Sequence, residues 1–220
     1  MLVGSVVLLG AAGTVVWALW PAWYGWLAAL PLLAVWGWVL AFFRDPERPV
    51  PVEGGVFVSP ADGTITDVTP LGPESALGCE GVSIGIFLSV FSVHVNRAPC
   101  DGQVVGTDYR KGRFLDARRE EAGQCNEAMN IRLDYCPDGQ RYPLMVRQIA
   151  GKIARRIVCG VEPGQAVQRG QRIGLIKFGS RTELWLPREL ARDIRVRVGQ
   201  KVYGAKTILA AHANARNGNP

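Results

Sequence analysis

Two apolar runs open the chain, at residues 2–20 and roughly 22–43, and no charged side chain appears before Arg44. Each run has about the twenty residues that a helix needs to cross a ~30 Å hydrocarbon core. Between them, Pro21 and the cluster Ala22-Trp23-Tyr24-Gly25-Trp26 read as a turn at an interface, where amphipathic aromatics settle. The pattern predicts a helical hairpin over residues 1–43. It is transmembrane or, because Pro31 and the glycines interrupt its second helix, embedded in one leaflet. A secretory signal peptide would need a basic leading segment and a shorter apolar run. Beyond Arg44 the period shortens. The runs Val56–Val58, Thr64–Thr66, Val82–Phe91, Gln103–Val105, Met129–Leu133 and Leu144–Val146, separated by Gly, Pro and Asp, read as strands. One helical piece is expected around Ile153–Arg156. The prediction is a single mainly β (α+β) domain over residues 44–220.

Charge sharpens this picture. All 25 basic and 19 acidic residues follow position 43, so the net charge of +6 belongs to the second domain. A basic domain behind an apolar anchor points to an anionic membrane surface or lipid as partner. No nucleic-acid-binding motif accompanies the charge, so nucleic acid is not expected. The basic flank starting at Arg44 places the domain on the cytoplasmic side of the cell membrane by the positive-inside rule. Five cysteines, odd in number and without a C-x-x-C pair, suit a reducing compartment and offer neither a disulfide framework nor a zinc site. No metal is expected.

Near the C-terminus, Gly164-Gln165-Ala166-Val167 with Gly170 echoes Gly199-Gln200-Lys201-Val202 with Gly204. This pattern resembles the β-hammerhead of lipoyl and biotinyl carrier domains. Lys177, in Ile-Lys-Phe, lacks the carriers' Asp-Lys-Ala or Met-Lys-Met setting, so the echo bears on fold alone.

Candidate chemistry is sparse. Of the two histidines, His212 lies in a polar tail, while His94 follows the apolar run Ile84–Val93 and precedes Asn96-Arg97-Ala98-Pro99. His94 is either a strand-end core residue or a general acid or base, since imidazole titrates near neutrality. Asp62, in Ser59-Pro60-Ala61-Asp62-Gly63, is either a turn residue or a carboxylate orienting an imidazole. Gly179-Ser180 lies between two strand-like runs and reads locally as a turn. Arg110-Lys111-Gly112-Arg113-Phe114-Leu115 is either a solvated basic loop or a membrane-facing one. In the second case Phe114 and Leu115 touch lipid while Arg110, Lys111 and Arg113 meet phosphate and carboxylate headgroups.

Five motifs in order carry a family resemblance: Phe42-Phe43-Arg44-Asp45-Pro46, Ser59-Pro60-Ala61-Asp62-Gly63, Phe87 to Arg97, Gln148-Ile149-Ala150-Gly151 with Ala154 to Val158, and Phe178-Gly179-Ser180-Arg181. Together, over about residues 42–210, they resemble the short form of phosphatidylserine decarboxylase, a pyruvoyl-dependent, self-processing membrane enzyme. The resemblance implies that the Ser180 hydroxyl attacks the Gly179 carbonyl to give an ester, and that elimination and hydrolysis leave a pyruvoyl group derived from Ser180. The products would be a β chain, 1–179, and an α chain, 180–220, that stay associated. It further implies phosphatidylserine as substrate, the pyruvoyl as electron sink in place of pyridoxal phosphate or metal, and a homodimer. His94, oriented by Asp62, is then the expected acid and base. The longer bacterial form carries Asp-Tyr-His-Arg-Val-His here; only its first histidine is matched, and Arg97 stands where the second would be. Other readings are the same chemistry on another serine-headgroup lipid and a non-enzymatic membrane adaptor.

Overall fold

The computed structural model describes residues 10–15, 24–118, 120–152, 156–177 and 179–212. The chain divides into two units, Met1–Arg44 and Asp45–Pro220. In the first, residues 10–15 are helical, and a 19-residue helix spans Tyr24–Phe42 with Pro31 inside it. At 1.5 Å per residue this helix is roughly 28 Å long, just under a ~30 Å hydrocarbon core. Among the described residues no helix is long and apolar enough to cross a membrane. Most of the expected hairpin's first leg, and its turn at 21–23, lie outside the described residues.

The second unit is mainly β. Its strands are β1 (Val56–Val58), β2 (Gly63–Leu71), β3 (Gly81–Leu88), β4 (Val95–Arg97), β5 (Gly102–Arg110), β6 (Ala128–Tyr135), β7 (Tyr142–Ile149), β8 (Ile157–Cys159), β9 (Ala166–Val167), β10 (Arg172–Ile176), β11 (Ser180–Pro187), β12 (Asp193–Ile194), β13 (Lys201–Val202) and β14 (Ile208–Ala211). A short helix, Glu120–Cys125, precedes β6. Eight strands form one sheet in the order β13-β2-β3-β11-β7-β6-β5-β9, and two three-stranded sheets run β1-β14-β12 and β4-β10-β8.

Alternation explains the core. Antiparallel register sets Leu184 of β11 opposite Ile84 of β3 and Val146 of β7, so these side chains share one face. With Ile86, Leu88, Leu144, Ile131, Leu133 and Phe57 they form a fully buried cluster, and each such side chain contributes about 1.5–3 kcal/mol on leaving water. β11 lies between β3 and β7, which pair with both of its edges, and its residues are buried along most of its length.

One sequence expectation changes. The apolar run Val82–Phe91 is a strand only to Leu88. There Ser89 accepts from the Ser92 N–H at 2.9 Å and the two hydroxyls meet at 3.1 Å, closing a turn that serine chemistry favours over extension. His94 therefore stands at the entrance to β4, not at the end of β3. Of the helical piece expected at 153–156, Ile153 to Arg155 lie outside the described residues, and Arg156 is not helical.

The glycine echo has a structural counterpart. Gly164 and Gly199 both have positive φ, 89° and 85°. The N–H groups of Gly164 and Gly199 donate to Val104 and Ile65, which donate back to Gln165 and Gln200. The short strands that follow, β9 and β13, close opposite edges of the eight-stranded sheet. Their partners begin alike, as Pro60-Ala61-Asp62-Gly63 and Pro99-Cys100-Asp101-Gly102. Asp62 accepts from the N–H of Gly204 at 2.8 Å and Asp101 from that of Arg169 at 2.9 Å, in each case five residues beyond the echoed glycine.

Candidate active site

The Gly-Ser step sits where β10 turns into β11. Gly179 has φ of 62°, the left-handed region open to glycine. Its carbonyl oxygen lies against the Cα of Gly151, so closely that a Cβ there would overlap it, and the Ala117 methyl closes the same spot at 3.3 Å. Ser180, the first residue of β11, is fully buried, and its Oγ has no hydrogen-bond partner among the described residues. A buried hydroxyl without a partner costs about 1–3 kcal/mol.

The core face of the sheet turns polar around it. Ser180 and Thr182 project on the same side of β11, and Thr182 is opposite Gln148 of β7. Gln148 donates to Asn96 Oδ1 at 2.8 Å, and Asn96 donates to Thr182 Oγ1 at 2.9 Å. All three are completely buried, and Gln148 Oε1 is unpartnered among the described residues. Asn96 thereby ties β4 to the strand that begins with Ser180.

His94 immediately precedes β4. Its backbone carbonyl accepts from Ile176 N–H at 3.2 Å, at the end of β10 and just before the Gly-Ser turn. The ring is fully buried, and Nδ1 is 2.8 Å from the Ser92 carbonyl. A carbonyl only accepts, so Nδ1 carries a proton, and in the neutral ring the lone pair is then on Nε2, the tautomer a general base requires.

Asp62 does not make the contact expected of it. Its carboxylate receives Arg48 in a two-pronged ion pair, Nη2 to Oδ2 at 2.6 Å, and the Gly204 N–H. The Ser92 carbonyl orients His94 instead. Asp62 shapes the loop at Pro60, whose carbonyl accepts from Arg97 N–H at 2.9 Å. Arg97 is no replacement for a second histidine. Its guanidinium pairs with Asp45 and donates to the Gly170 carbonyl at 2.8 Å, while Asp45 also holds Arg172. The Arg44-Asp45-Pro46-Glu47-Arg48 motif is thus a strap, pinned through Asp45 and Arg48 to the segments on either side of the His94 strand.

The opposite face of β11 carries a buried charged cluster that the sequence did not announce. Arg181 bonds Glu183, Thr66 and Asp67. Glu183 also meets Arg147 at 3.6 Å and accepts from the Trp185 indole at 2.9 Å. Burial opposes the charge on Arg181, but its hydrogen bond to Asp67 and the charge of Glu183 hold its pKa above the ordinary arginine value. For Arg147 burial wins and its pKa is lowered. The helix Glu120–Cys125 lies against the Glu183 end of this cluster, with Gly123 close to Glu183.

The basic loop divides into two kinds of residue. Arg110 is anchored to the fold: one Nη donates to the carbonyls of Gly123 and Asn126, both at 3.0 Å. Lys111 and Arg113 are exposed, and Phe114 and Leu115 half-buried. Asn126 holds the loop to the site by donating to Leu115 and Ala150 and accepting from Leu115 N–H. Among the described residues no group of three His, Cys, Asp or Glu side chains is gathered as metal ligands would be.

Residues 36–210 match the family model described as phosphatidylserine decarboxylase. The phosphatidylserine decarboxylase proenzyme of Rhodopirellula baltica is 43% identical over 187 residues, covering 85% of this chain and 77% of that one. That of Paramagnetospirillum magneticum is 41% identical over 206 residues, covering 87% and 84%. That of Carboxydothermus hydrogenoformans is 43% identical, covering 84% of each. With the match extending from the strap through the Gly-Ser turn to β14, the chain belongs to the phosphatidylserine decarboxylase family.

Proposed function

We infer that this protein is a proenzyme that cuts itself between Gly179 and Ser180 and then decarboxylates phosphatidylserine to phosphatidylethanolamine. The observation that carries this reading is the buried Ser180 Oγ, unpartnered among the described residues, next to a glycine carbonyl packed on Gly151. His94 Nε2 takes the Ser180 hydroxyl proton, the oxygen attacks the Gly179 carbonyl carbon, and the amide bond gives way to an ester. Loss of the Ser180 α-proton then releases the Gly179 carboxylate, and water replaces nitrogen, which leaves as ammonia, to make the pyruvoyl terminus. The buried setting of Ser180, with Gln148 Oε1 and Ser180 Oγ both unpartnered among the described residues, fits a polar group there. The chemistry supplied by the pyruvoyl is that of an electron-accepting carbonyl. His94 holds the proton that the carbon losing CO2 must receive. The α chain stays in place because β11 is hydrogen-bonded to β3 and β7, and β13 and β14 to β2 and β1.

Intact-mass analysis of the purified protein is the test: a 179-residue chain and a blocked 41-residue chain are expected, against one chain for a mere adaptor. His94→Gln should slow both self-cleavage and turnover by about 10²–10⁴-fold, the usual worth of a positioned acid or base. Undiminished cleavage in that variant would assign the base elsewhere.

The N-terminal unit is proposed as a hairpin anchor in the cytoplasmic face of the cell membrane, supported by the uncharged stretch to Phe43 and the 19-residue helix. Lys111, Arg113, Phe114 and Leu115 are proposed to meet the anionic bilayer beside the site. With basic residues worth ~1 kcal/mol each near such a surface, Lys111→Ser with Arg113→Ser should weaken binding to anionic vesicles roughly tenfold or more at low salt. Binding to neutral vesicles should not change. Equal loss on both vesicle types would remove the electrostatic role.

A further inference from the structure

Self-cleavage, as proposed above, turns the interior of a chain into an end. Chain ends fray unless something holds them, yet the residue derived from Ser180 has to stay fixed against His94. The next residue, Arg181, is tied down on the other face of the sheet. Its Nε donates to Glu183 Oε1 at 2.8 Å, one Nη to Thr66 Oγ1 at 3.0 Å and the other to Asp67 Oδ1 at 2.8 Å.

Thr66 and Asp67 lie in β2, which is not the neighbour of β11; β3 runs between them. Arg181 crosses β3 at Gly85, where a Cβ would come within 2.5 Å of both its Nη2 and Asp67 Oδ2. The register of β2 against β3 shifts between Ile65 and Asp67, an irregularity that includes Thr66. A bulge, a strand glycine and a partly buried carboxylate therefore converge on one guanidinium, and Thr66 and Asp67 belong to the 1–179 chain. Thr66 also donates to Asp67 at 2.6 Å, so the receiving pair is itself fixed. The Arg181 side chain is 4% exposed, and charge-assisted bonds in that setting are the strong ones.

We propose that Arg181, gripped by Thr66 and Asp67 across Gly85 and by Glu183, is the positioning residue that holds the new α-chain terminus in register once its peptide bond to Gly179 has gone. Before cleavage the covalent bond shares that task; afterwards Arg181 is the first side chain that performs it. Its contribution is consequently larger in the cut protein than in the uncut one, unlike that of a residue serving the fold alone.

The experiment compares Arg181→Met in two backgrounds, the self-cleaved protein and the uncleavable Ser180→Ala protein. Urea unfolding and hydrogen exchange of the peptide 181–187 are measured in each. The loss in urea midpoint and in exchange protection should be clearly greater in the cleaved background. Per chain that has formed its pyruvoyl, counted by mass, kcat should fall about tenfold with KM within about twofold, the size of a lost charge-assisted bond that positions a reacting group. Arg181→Lys should recover part of it. Equal losses in both backgrounds, or an unchanged kcat per pyruvoyl-bearing chain, would overturn the proposal. Should Arg181→Met not fold, Asp67→Asn at the half-exposed outer end of the grip carries the same comparison. A wild-type protein that never cleaves would instead overturn the self-processing reading, a result separate from any change at Arg181.

Discussion

Replacement of Ser180 by Ala should leave one uncut chain of 220 residues without decarboxylase activity, while the fold survives. The hydroxyl is the only atom removed, it has no hydrogen-bond partner among the described residues, and it is wholly buried. Removing a satisfied buried hydroxyl costs stability, whereas removing an unsatisfied one relieves a desolvation penalty of about 1–3 kcal/mol. Ser180→Ala should thus unfold at equal or higher urea than the uncut wild-type precursor, even as self-cleavage and turnover vanish together. Denaturing electrophoresis, intact mass and a urea titration read all three. A stable, uncut Ser180→Ala protein with turnover intact would dismiss Ser180 as origin of the reactive group, and a marked loss of stability would mean that the hydroxyl serves the fold.

Ser180 and His94 were legible in the sequence because histidine is scarce in this chain and because the motifs come in a fixed order. The partners of these residues were not. Asp62 looked free to orient an imidazole, since nothing in a linear reading tells that Arg48, 14 residues earlier, folds back onto it. Arg48 itself read as flanking charge behind an anchor. The serines at 89 and 92 are compatible with a strand until their hydroxyls are seen to meet, and that turn is what moves His94 beside β10. The duplicated Pro-x-Asp-Gly was in plain view, at 60–63 and 99–102, with the same spacing to Ile65 and Val104. Read beside the glycine echo, it would have marked Asp62 as one of a matched pair of turn carboxylates, each accepting a backbone N–H. Arg181 and Glu183 were missed for another reason. Alternate charged residues in a strand predict a solvated face, but here the helix Glu120–Cys125 lies over Glu183, a covering that no local pattern encodes.

Gly151→Ala should have the second large effect, and it separates geometry from chemistry. No catalytic atom is touched; the methyl would occupy the place of the Gly179 carbonyl oxygen, with Ala117 preventing retreat on one side. Either Gly179 rotates or β7 shifts, and the carbonyl carbon leaves the line of the Ser180 hydroxyl. Misplacement of a reacting atom by about 1 Å costs on the order of 10²-fold, while forcing a methyl into a packed site costs about 1–3 kcal/mol of stability. Self-cleavage, followed by the appearance of the 41-residue chain, should therefore slow roughly a hundredfold in a protein that still folds. Gly179→Ala makes the contrast. Among the described residues a Cβ there meets nothing within 4 Å, so its penalty is the left-handed backbone at φ 62°, about 1–2 kcal/mol. It should cleave faster than Gly151→Ala. The reverse order would mean that the flexibility of Gly179, not the packing of its carbonyl on Gly151, sets up the attack.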